Sequence, residues 1–319
     1  MQSRIVRLLA LACWAGALMS CVSTPQTAKL EAAPWDESRS RVVIGDVPFF
    51  PQEAYQCGPA ALATLLSFSG GGVLPSMLVD EVFVPGRNGS FQVEMLAATR
   101  SRGRLAYQIA PSLSDLLLEV EAGNPVLVLQ NLGLSIRPQW HFAVAKGYDL
   151  VDQKIILNSG TIEGYRLSLK TFERTWARAQ HWAVVINTPG AVPQTATAEN
   201  YFQSILDLQH SFSDPLAIQL AYEAGLRKWP EDKQLLIGLG NHFLALESYQ
   251  QAADVYALAV AYYPSYSPAL NNLAHTLLLL GDADAALAYA EQAVVHAVEY
   301  RDTYQKTYTE IVETIELNP

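Results

Sequence analysis

The sequence predicts an α+β domain followed by an all-α solenoid of paired helices, on three observations. Between residues 44 and 187 helical patterns come first and short strand-like runs afterwards, the order of an α+β domain with an antiparallel sheet. From residue 200 onward small and apolar residues recur with a 34-residue period, and Pro230 and Pro264 each follow an alanine-rich helix. Charge divides at the same place. Residues 21–199 carry 14 Lys/Arg against 16 Asp/Glu, whereas 200–319 carry 5 against 15, so the net charge of -10 belongs almost wholly to the second part. Half of the 319 residues are hydrophobic and only 16% are charged, which excludes disorder over most of the chain. The acidic balance also excludes nucleic acid as the main partner, because phosphate binding needs clustered Lys and Arg.

Taken in order, the first segment has two arginines, Arg4 and Arg7, and then 12 apolar residues from Leu8 to Met19. That run is too short to cross a bilayer and has the length of a signal-peptide core. It ends in Leu18-Met19-Ser20-Cys21, which resembles a bacterial lipobox with Cys21 as the lipidated residue. The competing reading is an ordinary secretory signal cleaved near Ser20. The lipobox implies a signal peptide over 1–20 and a lipoprotein. Because Val22 rather than Asp follows the cysteine, the expected site is the outer membrane facing the periplasm. Residues 21–43 are polar without apolar periodicity and read as a flexible tether spanning roughly 25 Å.

Gly58-Pro59 opens a helix through Leu66, with Pro near the first helical position, and Gly70-Gly71-Gly72 stop it. A second helix follows Ser90. A third follows Ser112, whose spacing to Asp115 is that of a capping box, and ends at Gly123. Strand-like runs follow at 126–129, 141–145, 154–157, 165–169 and 182–186, with a helical stretch at 171–178. Residues 188–199 read as a linker from their Pro, Gly, Thr and Ala content. In 233–266, Leu236, Leu239, Gly240, Phe243, Ala252, Tyr256, Ala259 and Pro264 match the tetratricopeptide pattern. A shift of 34 residues gives a second copy from Leu270 to Ala293, and a backward shift gives a weaker one through Phe202, Tyr222 and Pro230. The domain over 200–319 is thus about three repeats plus a capping helix at 301–317.

Chemistry concentrates on Cys57. The chain has three cysteines, too few for a disulfide framework or a four-cysteine zinc site, and nothing calls for a metal or cofactor. A thiol at a helix N-terminus sits among unpaired N–H groups at the positive end of the helix dipole, which favours thiolate and predicts a depressed pKa. The alternative for a lone cysteine is an inert buried side chain. Two histidines, His141 and His181, lie between residues 21 and 199, each opening a strand, and composition alone does not separate them. Asn158 stands 17 residues after His141 at the end of the next strand, where it either fixes the imidazole tautomer or forms a turn with Ser159-Gly160. Gln52 precedes the helix and could complete an oxyanion hole with the N–H of Cys57. Asp149 and Asp152 read as solvated turn residues. Arg87, Gln92, Asn131 and Trp140 could line a cleft.

The Cys57-Gly-Pro-Ala-Ala-Leu segment, the strand opening at His141 and the later Asn158 resemble the bacteriocin-processing (double-glycine-leader) peptidases of the papain-like clan, over about residues 44–187. The resemblance implies a papain-like fold in which a helix bearing the cysteine packs on an antiparallel sheet. It implies Cys57 as nucleophile, His141 as general base and acid, Asn158 as orienter and Gln52 as oxyanion donor. Two departures stand out: the family generally has Asp where this chain has Asn158, and its Gln stands six residues before the Cys rather than five. The expected function is a membrane-tethered cysteine peptidase acting on a peptide or protein, with the repeats recruiting substrate or a protein partner. The alternatives are a non-catalytic lipoprotein scaffold and a peptidyl or acyl transferase with the same site.

Overall fold

The computed structural model describes residues 23–32, 40–52, 56–87 and 89–317. The expected signal peptide and Cys21 lie outside them. The described residues form two compact units, the first running to 188 and including 193–195, the second made of 189–192 and those from 196 on.

In the first unit the described elements are α1 (Pro25–Ala32), β1 (Arg41–Val43), α2 (Cys57–Phe68), α3 (Val79–Val82), α4 (Gln92–Arg100), β2 (Leu105–Gln108), α5 (Leu113–Glu121), β3 (Val126–Asn131), β4 (Trp140–Asp149), β5 (Lys154–Ser159), β6 (Ile162–Ser168), α6 (Leu169–Ala177) and β7 (Ala183–Asn187). The strands form one antiparallel sheet in the order β2-β7-β3-β4-β5-β6, with β1 also paired to β4. Strand β4 is long enough to serve two partners on one edge: β3 covers 140–145 and β1 covers 147–149. Gly147 permits this, because a Cβ there would lie 2.6 Å from the carbonyl oxygen of Val42.

Helix α2 is apolar all round and buried from Gly58 to Leu66, as a helix with no solvent face must be. It packs on Leu127, Leu129, Phe142, Val144, Val184 and Ile186, which alternate along three neighbouring strands and so share one face of the sheet. Each fully buried leucine there contributes about 1.5–3 kcal/mol. Helices α5 and α6 pack on strands of the same sheet, and Ser112 caps α5 by accepting the N–H of Asp115, as the capping-box spacing predicts.

The tether reading of 21–43 needs correction in its described parts. Residues 25–32 are helical, and the backbone N–H groups of Gln26 and Thr27 donate to the Glu173 carboxylate at 2.9 and 2.7 Å. A carboxylate at a helix N-terminus offsets both the dipole and the unpaired donors, so the segment docks although it lacks an apolar stripe. The three-residue strand β1 and the four-residue β2 were also not foreseen. Each is too short to develop a two-residue alternation. Asp149 is buried rather than solvated, holding Arg166 at 2.8 Å and Arg41 at 3.1 Å.

The second unit contains α7 (Ala198–Ser211), α8 (Pro215–Lys228), α9 (Lys233–Ala245), α10 (Tyr249–Tyr262), α11 (Ser267–Leu279), α12 (Ala283–Val295) and α13 (Arg301–Leu317), three helix pairs and a final helix. Small residues govern the approach of α9 to its neighbours. A Cβ on Gly238 would meet the Tyr222 ring at 2.4 Å, and one on Gly240 would meet the Tyr256 ring at 2.3 Å. Tyr256 is fully buried and its hydroxyl donates to Asn241 Oδ1, so the ring has nowhere to retreat. Gly240→Ala is therefore expected to destabilise the unit by about 1–3 kcal/mol in urea unfolding, even though alanine is the better helix former. An unchanged or raised midpoint would refute the close-approach argument. No described helix of the protein is long and apolar enough to cross a membrane.

Candidate active site

Cys57 is the first residue of α2, and His141 is the second residue of β4. Both line a cavity of about 870 Å³ in the first unit, together with Gln52, Gln92, Trp140 and Arg178. The thiol faces the backbone N–H of Phe142, the residue after His141, as well as those of Gly58 and Cys57 itself. Gly58 is required where it stands: a Cβ there would lie 2.2 Å from Ser90 Oγ, which lies against the first turn of α2.

His181, the other histidine candidate, does not line this cavity. Its ring stands edge-on to Trp176 at 4.8 Å, a structural contact. Of the four possible cleft residues, Gln92 and Trp140 do line the cavity. Asn131 is buried instead, its Oδ1 accepting the N–H groups of Gly133 and Gln139 to hold the β3–β4 turn. The side chain of Arg87 lies outside what is described. Sequence reading missed Arg178, which lines the cavity from the C-terminal end of α6. Its only sequence signal was a basic residue ending a helix next to a strand.

The third position differs from expectation. The partner of His141 is Ser159, whose Oγ lies 2.8 Å from Nε2, and not Asn158. Strand alternation is the reason. Asn158 is paired with Val144 and shares its face, whereas His141, three residues before Val144, lies on the other face of β4 and is met by Ser159 at the irregular end of β5. Asn158 is 5% exposed and staples the chain ahead of α2 to strand β6. Its Nδ2 donates to the Pro48 carbonyl at 3.3 Å and its Oδ1 accepts the N–H of Gly164 at 3.2 Å. Gln52 belongs to the same connection, since its N–H donates to Gly160 O at 3.2 Å.

Electrostatics also correct the sequence reading of the thiol. Burial pushes the Cys57 thiol above its ordinary pKa, and the N–H groups of Phe142, Gly58 and Cys57 only partly oppose this. Burial likewise holds His141 below the ordinary imidazole value. Both shifts favour the neutral forms, a thiol and an imidazole, because desolvation of each group outweighs the helix-terminal field. Alkylation of Cys57 by iodoacetamide, followed by mass spectrometry of its peptide, is expected to keep accelerating with pH through the usual thiol range near 8.5. A plateau below pH 7 would contradict the raised pKa.

The model of the peptidase C39-like family matches residues 44–184, and that of the tetratricopeptide repeat matches 234–294. Residues 44–184 are a peptidase C39-like domain. Tetratricopeptide repeats follow it. The fold of the first unit, an antiparallel sheet with the cysteine-bearing helix packed on it, is that of a papain-like cysteine peptidase. Among solved structures, the peptidase domain of Streptococcus ComA is 18% identical, with 44% of this chain and 98% of that chain covered and a TM-score of 0.37. A double-glycine-motif protease from an AMS/PCAT transporter, in complex with its leader peptide, is 22% identical over 46% and 96% of the two chains, with a TM-score of 0.34. The second unit is similar to the TPR2B domain of yeast Sti1, at 17% identity, 37% and 97% coverage and a TM-score of 0.34. No curated protein matches the chain.

Proposed function

We propose that this C39-like domain is an active cysteine peptidase that cleaves a peptide or protein substrate. The observation that carries the reading is the opening of Cys57, at a helix N-terminus, and His141, held by Ser159, into one cavity. In this mechanism the Nε2–H of His141 donates to Ser159 Oγ, which leaves the Nδ1 lone pair as the base. The imidazole takes the thiol proton as sulfur attacks the peptide carbonyl carbon. The oxyanion is met by the N–H of Cys57 and the side-chain amide of Gln52. The C–N bond breaks as the imidazolium returns its proton to the leaving amine, and a thioester remains on Cys57. Water deprotonated by the same imidazole then hydrolyses the thioester and frees the thiol.

Proton transfer coupled to attack suits a pair that is neutral at rest, and it sets the pH behaviour. The reaction requires neutral His141, so kcat/KM is lost as pH falls through its lowered pKa, below the ordinary imidazole value of 6.5. A thiol-reactive peptidyl probe tests the assignment: it is expected to label the protein and to spare Cys57→Ala. Labelling that persists in the variant overturns it.

The reading extends to the rest of the chain. A lipid on Cys21 would tether the protein to the outer membrane, facing the periplasm. Because α1 begins at Pro25 and is docked, the chain between lipid and domain spans at most about 14 Å. The acidic repeats recruit a neutral or basic protein segment.

A further inference from the structure

The wall of the cavity opposite in sequence to the cysteine helix is unusually constrained. After α6 the chain turns through Arg178, Ala179 and Gln180, all three of which line the cavity. Gln180 and His181 hold left-handed φ angles of 56° and 55°, a conformation that costs about 1 kcal/mol or more at each non-glycine residue. The turn is fastened by the N–H of His181 donating to Trp176 O at 3.0 Å and that of Trp182 donating to Ala179 O at 3.2 Å. The His181 ring then rests on buried Trp176.

Arg178 is held as firmly. Its Nε and Nη2 both donate to the carbonyl oxygen of Asn131, at 3.0 and 2.9 Å, which fixes the guanidinium plane. One edge of the fork is thereby used, and the Nη1–Nη2 end retains its donors. Among the described residues no carboxylate pairs with it, and it is the one permanently charged side chain lining the cavity. Leu129, Phe142, Phe91 and Trp140 supply apolar wall to the same space, which lowers the local dielectric and strengthens any ion pair formed there.

We propose that Arg178 makes this cavity selective for a carboxylate on the bound peptide, so that the substrate class is a peptide with an acidic side chain or its own C-terminal carboxylate near the scissile bond. The proposal rests on the peptidase reading for its setting. A guanidinium already oriented by a backbone carbonyl binds a planar anion without the entropy cost that a free arginine bears. Lysine would not serve as well, because an ammonium that donates to the Asn131 carbonyl leaves no planar fork matched to a carboxylate.

The experiment measures binding rather than turnover, on full-length Cys57→Ala protein, by fluorescence anisotropy. The probes are labelled tetrapeptides that differ at one position as Glu, Gln or Lys, each made as the free acid and as the amide. At least one Glu peptide or free acid is expected to bind about tenfold tighter than its Gln or amide counterpart, the preference shrinking as salt rises. In Cys57→Ala/Arg178→Gln the preference is expected to vanish, and in Cys57→Ala/Arg178→Glu to pass to the Lys peptides. A Glu preference that survives amidation identifies the side chain as the ligand, and one lost on amidation identifies the C-terminus. Peptides that bind without regard to their carboxylates, no measurable binding by any peptide, or a preference that persists in the Arg178→Gln variant overturn the proposal. The peptidase reading fails separately, when wild-type protein is neither labelled at Cys57 by the peptidyl probe nor able to cleave any peptide.

Discussion

Cys57→Ala is expected to lower kcat/KM for any cleaved peptide by roughly a thousand-fold or more, because nucleophile and base act as a unit and neither substitutes for the other. His141→Ala should fall to a similar floor, and the double variant should be no worse than either single one. Stability should change little by comparison. Shortening the half-buried –CH2SH side chain to a methyl group removes one sulfur atom from contact with the core and costs about 1 kcal/mol or less. The measurement is steady-state cleavage of a fluorogenic peptide beside urea unfolding of the same preparations. Activity that survives in Cys57→Ala, or a loss fully accounted for by unfolding, would remove Cys57 from the chemistry and favour the scaffold role.

The second large effect separates two neighbouring residues. Ser159→Ala should reduce kcat by roughly ten- to a hundredfold, the value of one hydrogen bond that sets ring orientation. Its acid limb should also move, since the hydroxyl contacts the titrating ring directly. Asn158→Ala should act on stability instead. It leaves the Pro48 carbonyl and the Gly164 N–H without their partner and is expected to cost about 1–3 kcal/mol. Any loss of activity there should appear through Gln52, whose backbone is anchored to Gly160, two residues after Asn158. The opposite result, a silent Ser159→Ala and a catalytically dead but stable Asn158→Ala, would restore Asn158 as the orienting residue.

These two residues also mark the boundary of what could be read in advance. Local signals carried far. The Gly-Pro start and triple-glycine stop bracket α2, the Ser112–Asp115 spacing locates a real cap, and the 34-residue period leads to the paired helices with Gly240 and Tyr256 in contact. Each depends on a few residues within one element, or on a repeat that imposes the same contact again and again.

Elsewhere the deciding partner was distant in the chain. Gln26 and Thr27 become a docked helix because of Glu173, nearly 150 residues away, so polarity alone misread them as tether. Asp149 is buried because Arg41 and Arg166 converge on it. The helix-terminal position of Cys57 argued for a depressed thiol pKa, yet packing against the sheet reversed the direction. A local field is legible in sequence, but desolvation is a property of everything packed around the group.

By itself, then, the sequence determined the two-part architecture, the cysteine helix and the repeats. Those follow from periodicity, caps and breakers, which are short-range physics. Only the tertiary structure decided that Ser159 rather than Asn158 holds His141, and that Arg178 lines the same cavity. Those choices turn on strand register and on which face each side chain takes, and a shift of one residue reverses them.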